Sequence, residues 1–324
     1  MLSVYVPHGS TLERIAIESG SPPPEEAVWI DLITPNVQED KLVEKLLGVA
    51  VPTREEMQEI EVSSRLYVEN GARYMTATLM CQSDTATPKT TPVTFILSSH
   101  KLVTVRYDEP RPFAIVEHKL ARSCPTTVSG ESVLMDLLDA VIDRSADILE
   151  RVGVEVDQVS RSIFEPEEEA EQPSYKDVLK ALGRKGDLTS KVRESLVSIG
   201  RLLLFLTNEA EGLRWKKDVR AHLQSMRRDT ASLSDHATYL ANKITFLLDA
   251  MLGVVNIEQN AIIKIFSIAA VIFMPPTLVA SIYGMNFHHN MIELEWELGY
   301  PFALILMVFA AVLPILYFKW RKWL

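Results

Sequence analysis

Hydrophobic positions along the chain fall into three regimes, and each predicts a different kind of structure. Up to residue 106 they come in short runs rich in β-branched and aromatic residues, at 2–6, 28–32, 74–80, 91–97 and 102–106, which predict strands. Residues 38–46 and 54–61 carry helical spacing between them, so this part reads as an α/β body. Over residues 131–164 apolar positions recur at helical intervals, and the run ends at EPEEEAEQP, residues 165–173, which predicts a solvated turn between helices. No proline follows until Pro275, and glycines at 183, 186, 200 and 212 suggest one helix to about residue 210 and another from near Trp215. A helix from Trp215 to Tyr283 would extend on the order of 100 Å at 1.5 Å per residue, too long for a compact monomer. Such a helix needs partners, which predicts an oligomeric bundle or funnel.

The third regime is unbroken. Residues 265–283 (IFSIAAVIFMPPTLVASIY) and 300–318 (YPFALILMVFAAVLPILYF) contain no charged residue, and each is long enough to cross a bilayer. Lys264 precedes the first, and Lys319, Arg321 and Lys322 follow the second, while residues 284–299 contain acidic residues and no Lys or Arg. By the positive-inside rule both termini are cytoplasmic and the short link between the spans faces outward.

Charge and composition sharpen this. The chain has 324 residues, 47% of them apolar, and a net charge of −10; residues 261–324 hold four basic and three acidic side chains, which leaves −11 on residues 1–260. An acidic body disfavours nucleic-acid binding, which needs Lys and Arg stripes, and is compatible with drawing in cations; it equally serves solubility. Cys81 and Cys124 form no CxxC pair, so neither a disulfide framework nor a zinc cluster is predicted. The start, MLSVYVPHGSTLERI, lacks the features of a cleavable signal, so the N-terminal body is expected in the cytoplasm. There is no GxxxxGK[ST], nucleophile elbow or dinucleotide fingerprint, and the histidines make no metal triad; no enzyme and no organic cofactor are expected.

The first span carries the candidate chemistry. At 100° per residue Asn256, Asn260, Ser267, Met274 and Ser281 fall within about 40° of one direction, with Thr277 about 60° to one side. An isolated Ser or Thr in a span most often bonds a neighbouring helix, but an aligned stripe that continues towards Asp249 reads better as the wall of a wet path. Ile263, Phe266 and Met274 on the same side suit a hydrophobic constriction or interhelical packing equally. Pro275 and Pro276 interrupt the backbone bonding there, through a packing kink or where water re-satisfies the carbonyls.

The span closes on Tyr283-Gly284-Met285-Asn286-Phe287, preceded by NIEQNAIIKIFSIAAVIFMPPTLVAS, and the chain ends in YFKWRKWL. Together these resemble the CorA family, and the likeness extends more weakly through AVWIDL at 27–32 and TREEMQEIE at 53–61. The resemblance implies a homopentamer in the bacterial inner membrane: an α/β cytoplasmic domain over 1–125, a helical stalk over 126–264, a pore-lining span 265–283, an outer loop 284–299, a second span 300–318 and a basic tail 319–324. It implies Mg²⁺ influx, with Co²⁺ and Ni²⁺ also carried, and gating by intracellular Mg²⁺. Gly284, Met285 and Asn286 then form the selectivity ring, where amide and backbone oxygens capture Mg²⁺ inside its reluctantly shed water shell. Asn260, Ile263, Phe266, Met274 and Thr277 match pore positions, although Phe266 is bulkier than the leucine of some relatives. Asp249 would lie at the cytoplasmic mouth. Glu59 and Glu61 match the regulatory region, though each alone reads as a solvated carboxylate. Glu293, Glu295 and Glu297 would raise the cation concentration outside, within the reach that salt screening allows. His288 and His289 depart from the family's usual acidic loop and are borderline ligands for Co²⁺, Ni²⁺ or Zn²⁺, or plain loop residues. A Zn²⁺ transporter of the same superfamily and a membrane-tethered metal sensor remain as rival readings.

Overall fold

The structure, a computed structural model, describes residues 1–16, 22–123, 128–164, 174–212, 215–285 and 296–321. The chain divides into two compact units, Met1–Leu248 and Asp249–Leu324.

The first unit is built on a seven-stranded sheet of β1 (Leu2–His8), β2 (Thr11–Ala16), β3 (Trp29–Ile33), β4 (Leu66–Glu69), β5 (Ala72–Cys81), β6 (Lys89–Ser98) and β7 (Lys101–Arg106). Their spatial order is β2-β1-β3-β7-β6-β5-β4. Every neighbouring pair is antiparallel except β3 and β7. Alternation along the strands sends neighbouring side chains to opposite faces. Val4, Ile30, Ile96 and Val103 join a core with Val43 of α1 (Val37–Leu47) and Met57 of α2 (Arg54–Met57). Tyr5, Trp29, Phe95 and Leu102 face the other way, against α4 (Arg111–Arg122), α5 (Gly130–Phe164), α6 (Tyr175–Gly212) and the start of α7 (Lys217–Tyr283), which contributes Leu223 and Met226. The result is a sheet sandwiched between small helices on one face and long ones on the other.

Local chemistry explains the boundaries. Asn36 and Glu39 form a capping box at the start of α1, and Gly48, at φ 66°, ends it in the left-handed region. Thr53 and Glu56 do the same for α2. The predicted helix over 54–61 is corrected: α2 stops at Met57, and a separate one-turn α3 (Val62–Arg65) follows. The cause is Arg65, whose Nε donates to the Glu59 carbonyl at 2.6 Å, while Met57 is buried and Ile60 is 88% exposed. Two edge strands, β2 and β4, and helix α4 add to the predicted set. Gly130 opens α5 directly against the start of β7: a Cβ there would come within 2.5 Å of the Leu102 nitrogen.

The parallel pair β3 and β7 is joined by a buried polar chain. Trp29 Nε1 donates to Thr104 Oγ1 at 2.9 Å, Thr104 donates to Asp31 at 2.6 Å, and Arg106 meets Asp31 through Nη2 at 2.8 Å and through Nε. Trp29, Thr104, Asp31 and Arg106 thus each have a partner within this network, which is what makes a buried ion pair tolerable.

The second unit holds the remainder of α7 and all of α8 (Gly299–Trp320). Both helices are long and apolar enough to cross a membrane. The acidic turn expected at 165–173 lies outside the described residues.

Candidate functional site

Helix α7 presents two unlike faces within the second unit. Ile268, Ala269, Ile272, Pro275, Pro276, Val279 and Tyr283 are half-buried. At 100° per residue they lie within about 60° of one direction, and they form the covered side of the helix. Asn256, Asn260, Ser267, Met274 and Ser281 are all exposed, on a stripe centred about 150° away from that covered side. Ile263, Phe266 and Thr277, also exposed, flank the stripe. The polar stripe is therefore the face this chain leaves uncovered.

Its polar groups are open to a ligand. The amides of Asn256 and Asn260 have no hydrogen-bond partner among the described residues. Thr277 Oγ1 donates to the Phe273 carbonyl at 2.7 Å, so its oxygen lone pairs, not its proton, face outward. Asp249 is exposed and forms no ion pair among the described residues. At the end nearer Asp249, Asn260, Ile263 and Ser267 border an open cavity of about 440 Å³ that Phe318 of α8 also lines. Phe318 is buried, a role that its place in an apolar run does not reveal.

At the other end α7 and α8 meet through small residues. Ala280 on α7 and Gly284 just past its end, with Gly299 and Ala303 on α8, line one cavity of about 330 Å³, and Gly299 and Ala303 are buried. Small residues four apart on two facing helices let backbones approach closely, the packing device that works where lipid removes the hydrophobic drive between helices. The Gly-x-x-x-Ala spacing at 299–303 was the sequence signal for this contact. Gly284 keeps a negative φ, and its N–H continues the helix by donating to the Ala280 carbonyl at 2.9 Å. What it contributes is space, since a Cβ there would sit 3.0 Å from the same oxygen.

Of the remaining expected site residues, Met285 and Glu297 are exposed. Asn286, His288, His289, Glu293 and Glu295 lie outside the described residues. Glu59 and Glu61 are exposed in the first unit, on the segment joining α2 to α3. Among the described residues no group of three or more His, Cys, Asp or Glu side chains is arranged to hold a metal ion.

Two helices long and apolar enough to cross a membrane follow the α/β unit in sequence, the first with an uncovered polar stripe, the makeup of a membrane-spanning protein. A family model described as "CorA-like Mg2+ transporter protein" matches residues 24–320. The magnesium transport protein CorA of Escherichia coli K12 is 35% identical over 324 residues, covering all of both chains. Among solved structures, the complete CorA magnesium transporter of Methanocaldococcus jannaschii matches with a TM-score of 0.76 at 18% identity, over 100% of this chain and 99% of that one. The full-length CmaX protein matches with a TM-score of 0.70 at 13% identity, over 100% and 97%. The chain belongs to the CorA family of CorA-like Mg²⁺ transporters, a transporter family and not an enzyme family.

Proposed function

We propose that this chain forms a channel through which Mg²⁺ enters the cell down its electrochemical gradient. The observation that carries the reading is the uncovered stripe of Asn256, Asn260, Ser267, Met274 and Ser281 on α7, opposite the face that α7 covers with its own chain. Polar side chains along a span need hydrogen-bonding partners that lipid cannot supply, so a set aligned on one uncovered face calls for water. Water there requires copies of the chain around a common axis, and five copies with α7 inside and α8 outside is the assembly proposed. Residues 265–283 and 300–318 are then the spans, 1–125 and 126–264 the cytoplasmic domain and stalk, and 319–324 a basic tail, with both ends in the cytoplasm and the chain in the bacterial inner membrane.

Gly284, Met285 and Asn286 form the outer ring, five Asn286 amides offering oxygens to an ion that keeps its water shell. Ile263, Phe266 and Met274 narrow the path and close it by excluding water, while Asp249 gathers cations at the inner mouth. Glu293, Glu295 and Glu297 do so outside. A negative-inside potential of about 100 mV favours entry by about 2.3 kcal/mol per charge, nearly 5 for a divalent ion, so no fuel is needed. Co²⁺ and Ni²⁺ share the path, and intracellular Mg²⁺ closes it at exposed carboxylates such as Glu59 and Glu61 facing a second copy.

The test is voltage-driven Mg²⁺ uptake into proteoliposomes, comparing the unmodified chain with Asn286→Ala. Uptake lost in a variant that still assembles supports the ring. Zn²⁺ uptake without Mg²⁺ uptake would move the chain to zinc transport, and no flux of any divalent ion would leave a metal sensor.

A further inference from the structure

The segment that bears Glu59 and Glu61 borders a cavity of about 490 Å³ between α3, β5 and α6, and this cavity is cationic, with Arg65, Arg193 and Arg201 in its wall against a single carboxylate, Glu194. Arg65 is held by backbone and hydroxyl oxygens instead of a carboxylate: Nε donates to the Glu59 carbonyl at 2.6 Å, and Nη1 to Thr78 Oγ1 at 3.1 Å. Burial pushes its pKa down from the ordinary arginine value, Glu194 opposes the shift and Arg201 adds to it. Arg193 and Arg201 make no ion pair or hydrogen bond among the described residues. Glu194 pairs with neither of them and accepts only from the Thr90 hydroxyl at 3.5 Å, so its one negative charge leaves two of the three arginine charges in excess.

The neutral groups in the wall point the same way. Thr78 Oγ1 accepts from Arg65, and Ser198 Oγ accepts the Thr78 N–H at 2.9 Å. Each hydroxyl thereby keeps its own proton, for which no acceptor is found among the described residues. Guanidinium forks and hydroxyl donors converging on one space, with two positive charges in excess, are the donor set for a phosphate group.

We propose that this pocket binds a phosphate-bearing anion, either inorganic phosphate or the polyphosphate of a nucleotide. Because Arg65 also fixes the backbone at Glu59, an anion drawing on Arg65 would act on the segment that carries both acidic residues.

Calorimetric titration of the full-length chain in nanodiscs, at physiological salt and with a chelator to strip divalent ions, tests this with sodium phosphate, pyrophosphate and ATP. The expected result is saturable binding of at least one probe. It should weaken about tenfold or more in the Arg193→Gln/Arg201→Gln double variant, since charge-assisted hydrogen bonds are lost. Glu194→Gln, which removes the opposing charge, should tighten it; two effects of opposite sign cannot both come from misfolding. Phosphate binding alone identifies a simple oxyanion site, and ATP binding without phosphate binding identifies a nucleotide. Failure of all three probes, affinity unchanged in the double variant, or equal affinity for sulfate would overturn the proposal.

Discussion

The two units solve opposite solvation problems. In Met1–Leu248 the chain completes its own core, with aromatic and branched side chains on both faces of one sheet covered by helices of the same chain. In Asp249–Leu324 it does not: none of the most apolar eighteen-residue stretch of α7 is buried, and 11% of that of α8. Large apolar residues such as Phe266, Phe273 and Leu313 stand mostly exposed there. One unit is finished by folding; the other leaves its apolar surface for lipid and, in the assembly proposed above, for further copies of itself.

Breaking that contrast from the first side gives the largest effects. Asp31→Ala strands Arg106 in the interior, and the loss should be about 3–5 kcal/mol, read as a large drop in the thermal unfolding midpoint in detergent. Retention of the midpoint would mean that the β3–β7 network is dispensable. Gly130→Ala forces a methyl against the β7 backbone and should cost about 1–3 kcal/mol by the same measurement.

On the second side the affected readout is transport and not the unfolding midpoint. Ala303→Leu wedges α8 away from α7 at its small-residue contact; the helix association lost is on the order of 1–2 kcal/mol. Mg²⁺ uptake should fall several-fold, while the first unit's unfolding midpoint should stay unchanged. A shifted midpoint with normal uptake would invert the assignment of roles.

The smallest effect concerns Asp143 on α5, whose pKa is raised by partial burial and then by Asp139, Asp147 and Asp229. A raised carboxyl pKa means that the folded state favours the protonated form. Its stabilising contribution is complete below the unfolded value of 3.8 and is lost as pH rises through the folded value. Asp143→Asn should therefore stabilise the chain at neutral pH, by no more than about 0.5 kcal/mol for an exposed like-charge row. That gain should shrink with added salt and vanish in acid.

Much of this architecture could be read from residue patterns, and the omissions have physical reasons. Central strands β3, β5, β6 and β7 are dense in apolar residues because both faces are covered. Edge strand β2 (TLERIA) buries little beyond Leu12, so its pattern is faint. Edge strand β4 was signalled by Asn70-Gly71, whose positive φ values of 50° and 81° make the tight hairpin turn into β5. Helix α4 follows Pro110 and buries Phe113, Val116 and Leu120, a helical spacing easily lost in a short segment. In the second unit the spans and the polar stripe could be read from periodicity alone. The contact of Ala280 and Gly284 with Gly299 and Ala303 left only the Gly-x-x-x-Ala spacing at 299–303 as a trace in the sequence, which names one helix and not its partner. The cationic pocket was illegible, since Arg65 and Arg201 meet across more than a hundred residues of sequence.

The twin prolines of α7 have a consequence for assembly. Pro275 and Pro276 lack the N–H groups that would ordinarily close the helical turn onto the carbonyls of Val271 and Ile272. The stretch of α8 between Pro301 and Leu316 carries no side-chain donor to replace them. A solitary protomer dissolved in hydrocarbon would hold two under-hydrated oxygens in the middle of its span, at a cost of about 1–3 kcal/mol each if they stay unpaired. Water or a neighbouring copy would remove that cost, so in the proposed assembly wetting of the span and association of the subunits are linked equilibria, and drying the one should loosen the other.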